Sequence, residues 1–332
     1  MEDGRYKTRL VANSYSHKTG VDYTKTFAPV SKFNSLPSLL ALLTENDWEL
    51  EGMDVKIAFQ QIEQEERVII DIPQGLHSDI TNTSSRSYVV SELKKAIYWL
   101  KQSPRTWYSK IHQFFIDNGF ERCEQDHNIY VHGIFSPILL LYVDYLVLIS
   151  PSMDDIVWIQ DLLHREFEMT DLGPLTSFLR IEIHRDRRMC RLHRSHQRYI
   201  GTILHRHGMA DSTPIATPVD PYVRQLKLPS EQQADSINRQ QYRSAVGSLI
   251  YAMIGIQPDN TFTVSTVSQH NSNPGAPHWT AIEWIFRYLA GTRKLGLHYG
   301  RGRYGGYCDA DWEGGENRRS IGRYVTIITE RR

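Results

Sequence analysis

The sequence predicts an α+β fold, and three observations carry that reading. Helical periodicities alternate with short apolar runs, but not in the regular strand–helix–strand series that builds a parallel sheet. Residues 138–150 hold two apolar arms around a polar Asp144, the pattern of a tight β-hairpin whose tip presents a carboxylate. From residue 208 to 240 the composition shifts to Pro, Ser, Asp and Gln, which marks an exposed linker between two units.

Each element follows in order. Met1-Glu2-Asp3-Gly4-Arg5 has no apolar signal core and reads as a hairpin turn ahead of a strand over 6–11. Leu36, Leu39, Leu40, Leu42 and Leu43 predict a helix over 34–46. A strand-like run over 48–59 leads into a helix or turn, and a second strand over 68–72 is stopped by Pro73 and Gly75. Residues 88–90 precede a helix over 104–118 and a strand over 128–133. After the hairpin come a helix over 153–167 and a strand over 176–183. Beyond the linker, helices over 242–254 and 279–290 are followed by strands over 296–299 and 306–308.

The bulk properties exclude several classes. At 332 residues, with 40% hydrophobic, 23% charged and 11% aromatic residues, the chain is long enough for about two cores and too apolar for general disorder. A formal net charge of zero gives no global attraction to a polyanion, so nucleic-acid contacts must come from local patches. Cys123, Cys190 and Cys308 form no CxxC pair, which excludes a cysteine-built zinc site and predicts a reducing, intracellular setting. The apolar run 138–149 is far shorter than the ~20 residues of a membrane span.

Asp54 stands near the end of a strand in Met53-Asp54-Val55-Lys56-Ile57-Ala58-Phe59, and Asp144 at the hairpin tip in Leu141-Tyr142-Val143-Asp144-Tyr145. Two such carboxylates suit nucleotidyl transfer, in which paired Mg²⁺ ions ~3.5–4 Å apart activate a hydroxyl and neutralise a triphosphate. Taken alone, each Asp also reads as a strand terminus. Residues 184–207 carry Arg185, Arg187, Arg188, Arg191, Arg194, Arg198 and Arg206 against a single acid, Asp186. That stretch is a nucleic-acid patch or a solvated face. Its histidines, His184, His193, His196, His205 and His207, are too irregularly spaced for a metal set.

Longer stretches add a resemblance. Tyr6-Lys7-Thr8-Arg9-Leu10-Val11-Ala12, Asp22-Tyr23-Thr24-Lys25-Thr26-Phe27-Ala28-Pro29-Val30 and the Asp54 stretch resemble the copia-type retrotransposon reverse transcriptase, in that family's order. So do Leu100-Lys101-Gln102-Ser103-Pro104-Arg105-Thr106-Trp107-Tyr108, Asp171-Leu172-Gly173-Pro174-Leu175, Arg287-Tyr288-Leu289-Ala290-Gly291-Thr292 and Asp309-Ala310-Asp311-Trp312. The resemblance implies a right-hand polymerase of fingers, palm and thumb over 1–207, with an antiparallel palm sheet. A linker over 208–240, a connection over 241–300 and the opening of a ribonuclease H-like segment over 301–332 would follow. It also implies that Asp54 and Asp144 bind two Mg²⁺ ions, that Lys7 and Arg9 meet the incoming triphosphate, and that Phe59 is the steric gate against the sugar. Arg185, Arg187, Arg188, Arg191 and Arg194 would hold an RNA or DNA primer–template, with deoxynucleoside triphosphates as substrates. Asp309 would be the first ribonuclease H carboxylate.

The chain departs from the family at functional positions. Tyr145 replaces the second of two adjacent aspartates, and Trp99 and Arg180 replace glycines. The family's opening strands are missing ahead of 6–11, and its later ribonuclease H acids are missing before Arg332. The expectation is an impaired polymerase without a working nuclease, or a non-catalytic nucleic-acid-binding remnant.

Overall fold

The computed structural model describes residues 10–63, 67–72, 90–133, 137–220, 237–300, 305–311 and 321–327. The chain forms two compact units, one of residues 1–36 and 48–174 and the other of 37–47 and 175–332.

The first unit is built on β1 (Glu49–Val55), β4 (Phe120–Arg122), β5 (Ile129–His132), β6 (Ile138–Tyr142), β7 (Tyr145–Ser150) and β8 (Met169–Pro174). They form one sheet in the order β4-β5-β6-β7-β1-β8, with every pairing antiparallel. Helices α2 (Ser103–Asp117) and α3 (Met153–Glu166) supply apolar stripes, Trp107, Ile111 and Phe115 from one and Ile156, Ile159 and Leu163 from the other. These pack with Met53, Val55, Leu146 and Leu148 in a single core. Ser152 caps α3 by accepting from the Asp154 amide, and two acids in its first turn suit the helix dipole. A small ribbon, β2 (Ile69–Asp71) with β3 (Val90–Glu92), stands apart from the main sheet.

The second unit takes α1 (Ser35–Asn46) from Pro37 onward and a sheet of β9 (Ser177–Phe178), β10 (Ile181–Asp186), β11 (Arg191–Ser195) and β12 (Gly296–Tyr299). Helices α4 (Gln197–Arg206), α5 (Arg239–Gly255), α6 (Thr261–Ser268) and α7 (Ala276–Gly291) share an apolar core around Tyr242, Leu249, Val264 and Phe286. β13 (Gly305–Asp311) pairs with β14 (Ile321–Ile327).

Three outcomes differ from the sequence reading. The single strand over 176–183 is a hairpin, because Leu179 and Arg180 both take left-handed backbone, φ +48° and +60°, and reverse the chain. Thr261–Ser268, to which the sequence reading gave no element, is a helix although its threonines and valines favour strands, since Val264 and Val267 are buried in the helical core. The compact units part between Pro174 and Leu175, ahead of the expected boundary at 207, because β11 takes β12 as its neighbour. Residues 209–220 are irregular, and 221–236 lie outside the described residues.

Candidate active site

Asp54 is the penultimate residue of β1, and its register partner on β7 is Tyr145. Met53 and Val55 point into the core, so Asp54 stands on the opposite face, half-buried. Directly opposed residues share a face of a sheet, which puts the Tyr145 ring beside Asp54. Burial, and then the Asp54 charge, push the Tyr145 phenol above its ordinary value.

Val143 and Asp144 form the two-residue connection between β6 and β7. The Val55 amide donates to the Asp144 carbonyl at 2.7 Å, so the turn lies against the end of β1. Val143 takes φ +58°, an uncommon conformation for a β-branched residue. The buried Trp107 indole donates to the Val143 carbonyl at 2.6 Å and so braces this turn from α2. The fold therefore brings Asp54, Asp144 and Tyr145 together at neighbouring backbone positions.

The donor set fits Mg²⁺ in kind, since carboxylates are hard oxygen ligands, but it is one anion short. The phenol stays protonated at neutral pH and offers only a neutral oxygen. Among the described residues no cluster of three or more His, Cys, Asp or Glu is placed to hold a metal ion.

The other expected site residues fall in different surroundings. Phe59 is buried in the core, in the short turn Ala58–Gln61, with its ring edge-on to Tyr98 at 4.9 Å. Ile57 precedes it at φ +50°, and the turn is tied down where Gln61 Nε2 donates to the Lys56 carbonyl at 2.5 Å. Lys7 and Arg9 lie outside the described residues; Val11 forms an isolated parallel bridge with Tyr98. Asp309 lies on β13, in register with Arg323 of β14.

The basic stretch is not a uniform cationic face, which corrects part of the expected nucleic-acid set. Arg194 is 1% exposed, donating to the Tyr299 hydroxyl at 2.5 Å and the Gly255 carbonyl at 3.2 Å, and so cannot meet a phosphate at the surface. Arg185 and Arg187 both donate to Asp47 Oδ1, at 2.8 and 3.0 Å, and hold its carboxyl below the ordinary range, with the Arg187 hydrogen bond the leading cause. Arg188 and Arg191 remain exposed.

Trp99 and Arg180, expected to replace glycines, both occupy left-handed backbone. Trp99 takes φ +69° and is 71% exposed, and Arg180 takes φ +60° at the exposed β9–β10 turn. Glycine adopts such conformations at no steric cost, whereas a side chain at either position is strained there. Sequence reading singled out Tyr145, Trp99 and Arg180 but missed the left-handed turns and the bracing role of Trp107. The signal for Trp107 was its place in the Leu100–Tyr108 stretch.

Comparison with known proteins identifies the family. Residues 1–221 match the family described as reverse transcriptase (RNA-dependent DNA polymerase). The chain is 34% identical over 97% of its length to a retrovirus-related Pol polyprotein from transposon TNT 1-94 of Nicotiana tabacum. It is 33% identical over 93% of its length to that of transposon RE2 of Arabidopsis thaliana. It spans about a quarter or less of these two relatives, 24% and 21% of their lengths. An uncharacterized mitochondrial protein of Arabidopsis thaliana is 32% identical over 57% of this chain and 78% of its own length. The chain belongs to the reverse transcriptase (RNA-dependent DNA polymerase) family, and corresponds to the region of that kind in copia-type retrotransposon Pol polyproteins.

Proposed function

We propose that this chain is an RNA-directed DNA polymerase by descent whose catalytic site is impaired, and that it keeps an affinity for nucleic acid. The first unit's antiparallel sheet would be the palm, and the second unit's β9–β12 sheet and helices the thumb and connection. Residues 301–332 would open a ribonuclease H-like segment with Asp309 on its first strand. The observation that carries the reading is the register of Asp54 with Tyr145 beside the Asp144 turn.

Asp54 and Asp144 would hold Mg²⁺, which when bound supplies charge neutralisation for the transferred phosphoryl group. The chain's own residues act around it. The Trp107 hydrogen bond fixes the Asp144 turn, the Asp54 face stays half-open, and Phe59 packs behind the strand end, where it would limit room at the sugar. Tyr145 adds bulk and removes a negative charge at the place where charge is needed. Groups of this kind are each worth ~3 kcal/mol or more in a transition state, so the loss alone costs about two orders of magnitude in rate. Trp99 and Arg180 add side chains where close backbone approach to template and primer is expected, and small misplacements cost ~100-fold.

Affinity for a primer–template asks less. Arg188 and Arg191 would give a salt-sensitive, sequence-independent attraction. The test is deoxynucleotide incorporation on a primed RNA template with Mg²⁺, run on the full chain and on Asp54→Asn. Incorporation by the unchanged chain should not exceed that of the variant. Robust extension that Asp54→Asn abolishes would overturn the impairment.

A further inference from the structure

Three histidines stand in one row across the second unit's sheet. His184 of β10 is the register partner of His193 of β11, and His193 is the partner of His298 of β12. Directly opposed side chains share a face, so the three imidazoles form a ladder at the ~4.8 Å strand spacing. The rings lie nearly parallel. His193 and His298 are 4.5 Å apart at 29°, and His184 and His193 are 6.3 Å apart at 20°.

The arrangement is a stack and not a chelate. With planes aligned the ring nitrogens do not converge, in keeping with the lack of a metal cluster among the described residues. Gly296, the next residue on this face of β12, leaves room for the central ring, because a Cβ there would collide with the His193 imidazole and the Arg194 carbonyl.

Among the described residues both ends of the stack are open: β12 is an edge strand, and β9 pairs with β10 through Phe178–Ile181 and Ser177–Glu182, with the Ile183 amide donating to the Thr176 carbonyl, short of His184. His184 and His298 are accordingly exposed, with His193 between them half-buried. Burial first, then the two neighbouring imidazoles, lower the His193 pKa, so the central ring is neutral and apolar-faced at pH 7.

The charge beside the stack is cationic. Glu182, one row away, is engaged by the Ser195 hydroxyl at 2.6 Å and by Arg198 at 3.2 Å. On the other side stand Arg191, in register with Asp186, and Arg188 in the connecting turn, both exposed. Flat, sequence-tolerant ring faces flanked by arginines are the chemistry that holds unpaired bases and their phosphates.

We propose that the His184–His193–His298 stack is a platform for the unpaired bases of single-stranded nucleic acid, with Arg188 and Arg191 meeting the adjoining phosphates. The inference rests on the functional reading only for the class of its ligand, since the platform needs neither Asp54 nor Asp144. A duplex hides its base faces and would gain nothing from it.

Fluorescence anisotropy of the full chain with a labelled oligothymidylate and with a blunt duplex tests the proposal. His184→Ala and His298→Ala should each weaken single-strand binding at least about fivefold, leaving duplex binding and the salt slope unchanged. His298→Phe, which keeps a ring face and discards the titratable group, should retain the affinity. Arg188→Gln should instead lower the salt slope. Single-strand binding that survives both alanine variants, or is lost equally with Phe and Ala at 298, overturns the proposal, as does a chain that binds no single strand. An unchanged chain that binds the single strand but not the duplex, with single-strand binding weakened in both alanine variants, supports the platform and counts against the primer–template reading alone.

Discussion

Placing glycine at position 180 should stabilise the protein, although it removes a whole side chain. Arg180 is the second residue of the β9–β10 turn, at φ +60°, and follows Leu179 at φ +48°. A non-glycine residue in left-handed backbone costs ~1–2 kcal/mol. Glycine removes that cost but enlarges the unfolded ensemble by ~0.4–1 kcal/mol. The arginine is exposed and makes no core packing, so little is lost with it. The net gain is ~0.5–1 kcal/mol for Arg180→Gly, and by the same reasoning for Trp99→Gly at φ +69°. The two positions lie in different compact units, so their effects should add. Urea melts followed by circular dichroism read the result as a higher midpoint at unchanged slope. A midpoint that falls on Arg180→Gly would show that the turn is not strained and would refute the reasoning.

Two further outcomes follow from the same structure. His196 is fully buried against Tyr251, and burial first, then Arg194, lower its pKa to about 4. The folded state resists protonation that the unfolded chain accepts below about pH 6.5, so stability is complete above that pH and falls as pH drops toward 4. At pH 5 the loss is roughly 2 kcal/mol, and His196→Phe should flatten this part of the pH–stability curve. Trp107→Phe removes the indole donor to the Val143 carbonyl, at 2.6 Å, and should cost ~1–3 kcal/mol with faster amide exchange at the Val143–Asp144 turn. Unchanged exchange there would show that the turn holds itself.

Much of the first unit was legible because its signals are local. The apolar arms around Asp144 specify a hairpin whatever the rest of the chain does, and in the second unit the leucines over 39–43 specify a helix in the same way. The register that sets Tyr145 against Asp54 was not legible, because it depends on which strands meet across about ninety residues of sequence. Arg194 misled for a related reason: in a charge run it reads as solvated, and only the β11–β12 pairing buries it under Tyr299. The Leu179–Arg180 turn escaped notice because neither residue type signals left-handed backbone. The histidine ladder escaped too, since His298 lies far from the other two rings in sequence and joins them only through strand pairing.

A metal titration tests the proposed loss of a carboxylate at Tyr145 without asking the protein to place a primer. Mn²⁺ binding, followed by electron paramagnetic resonance of the free ion, can be compared in the full chain, Tyr145→Asp and Asp54→Asn. The added carboxylate should tighten binding about tenfold or more, a gain of ~1.4 kcal/mol for one further charge at the site, and Asp54→Asn should weaken it. Equal affinity in all three proteins would contradict the assignment of Asp54, Asp144 and Tyr145 to one site.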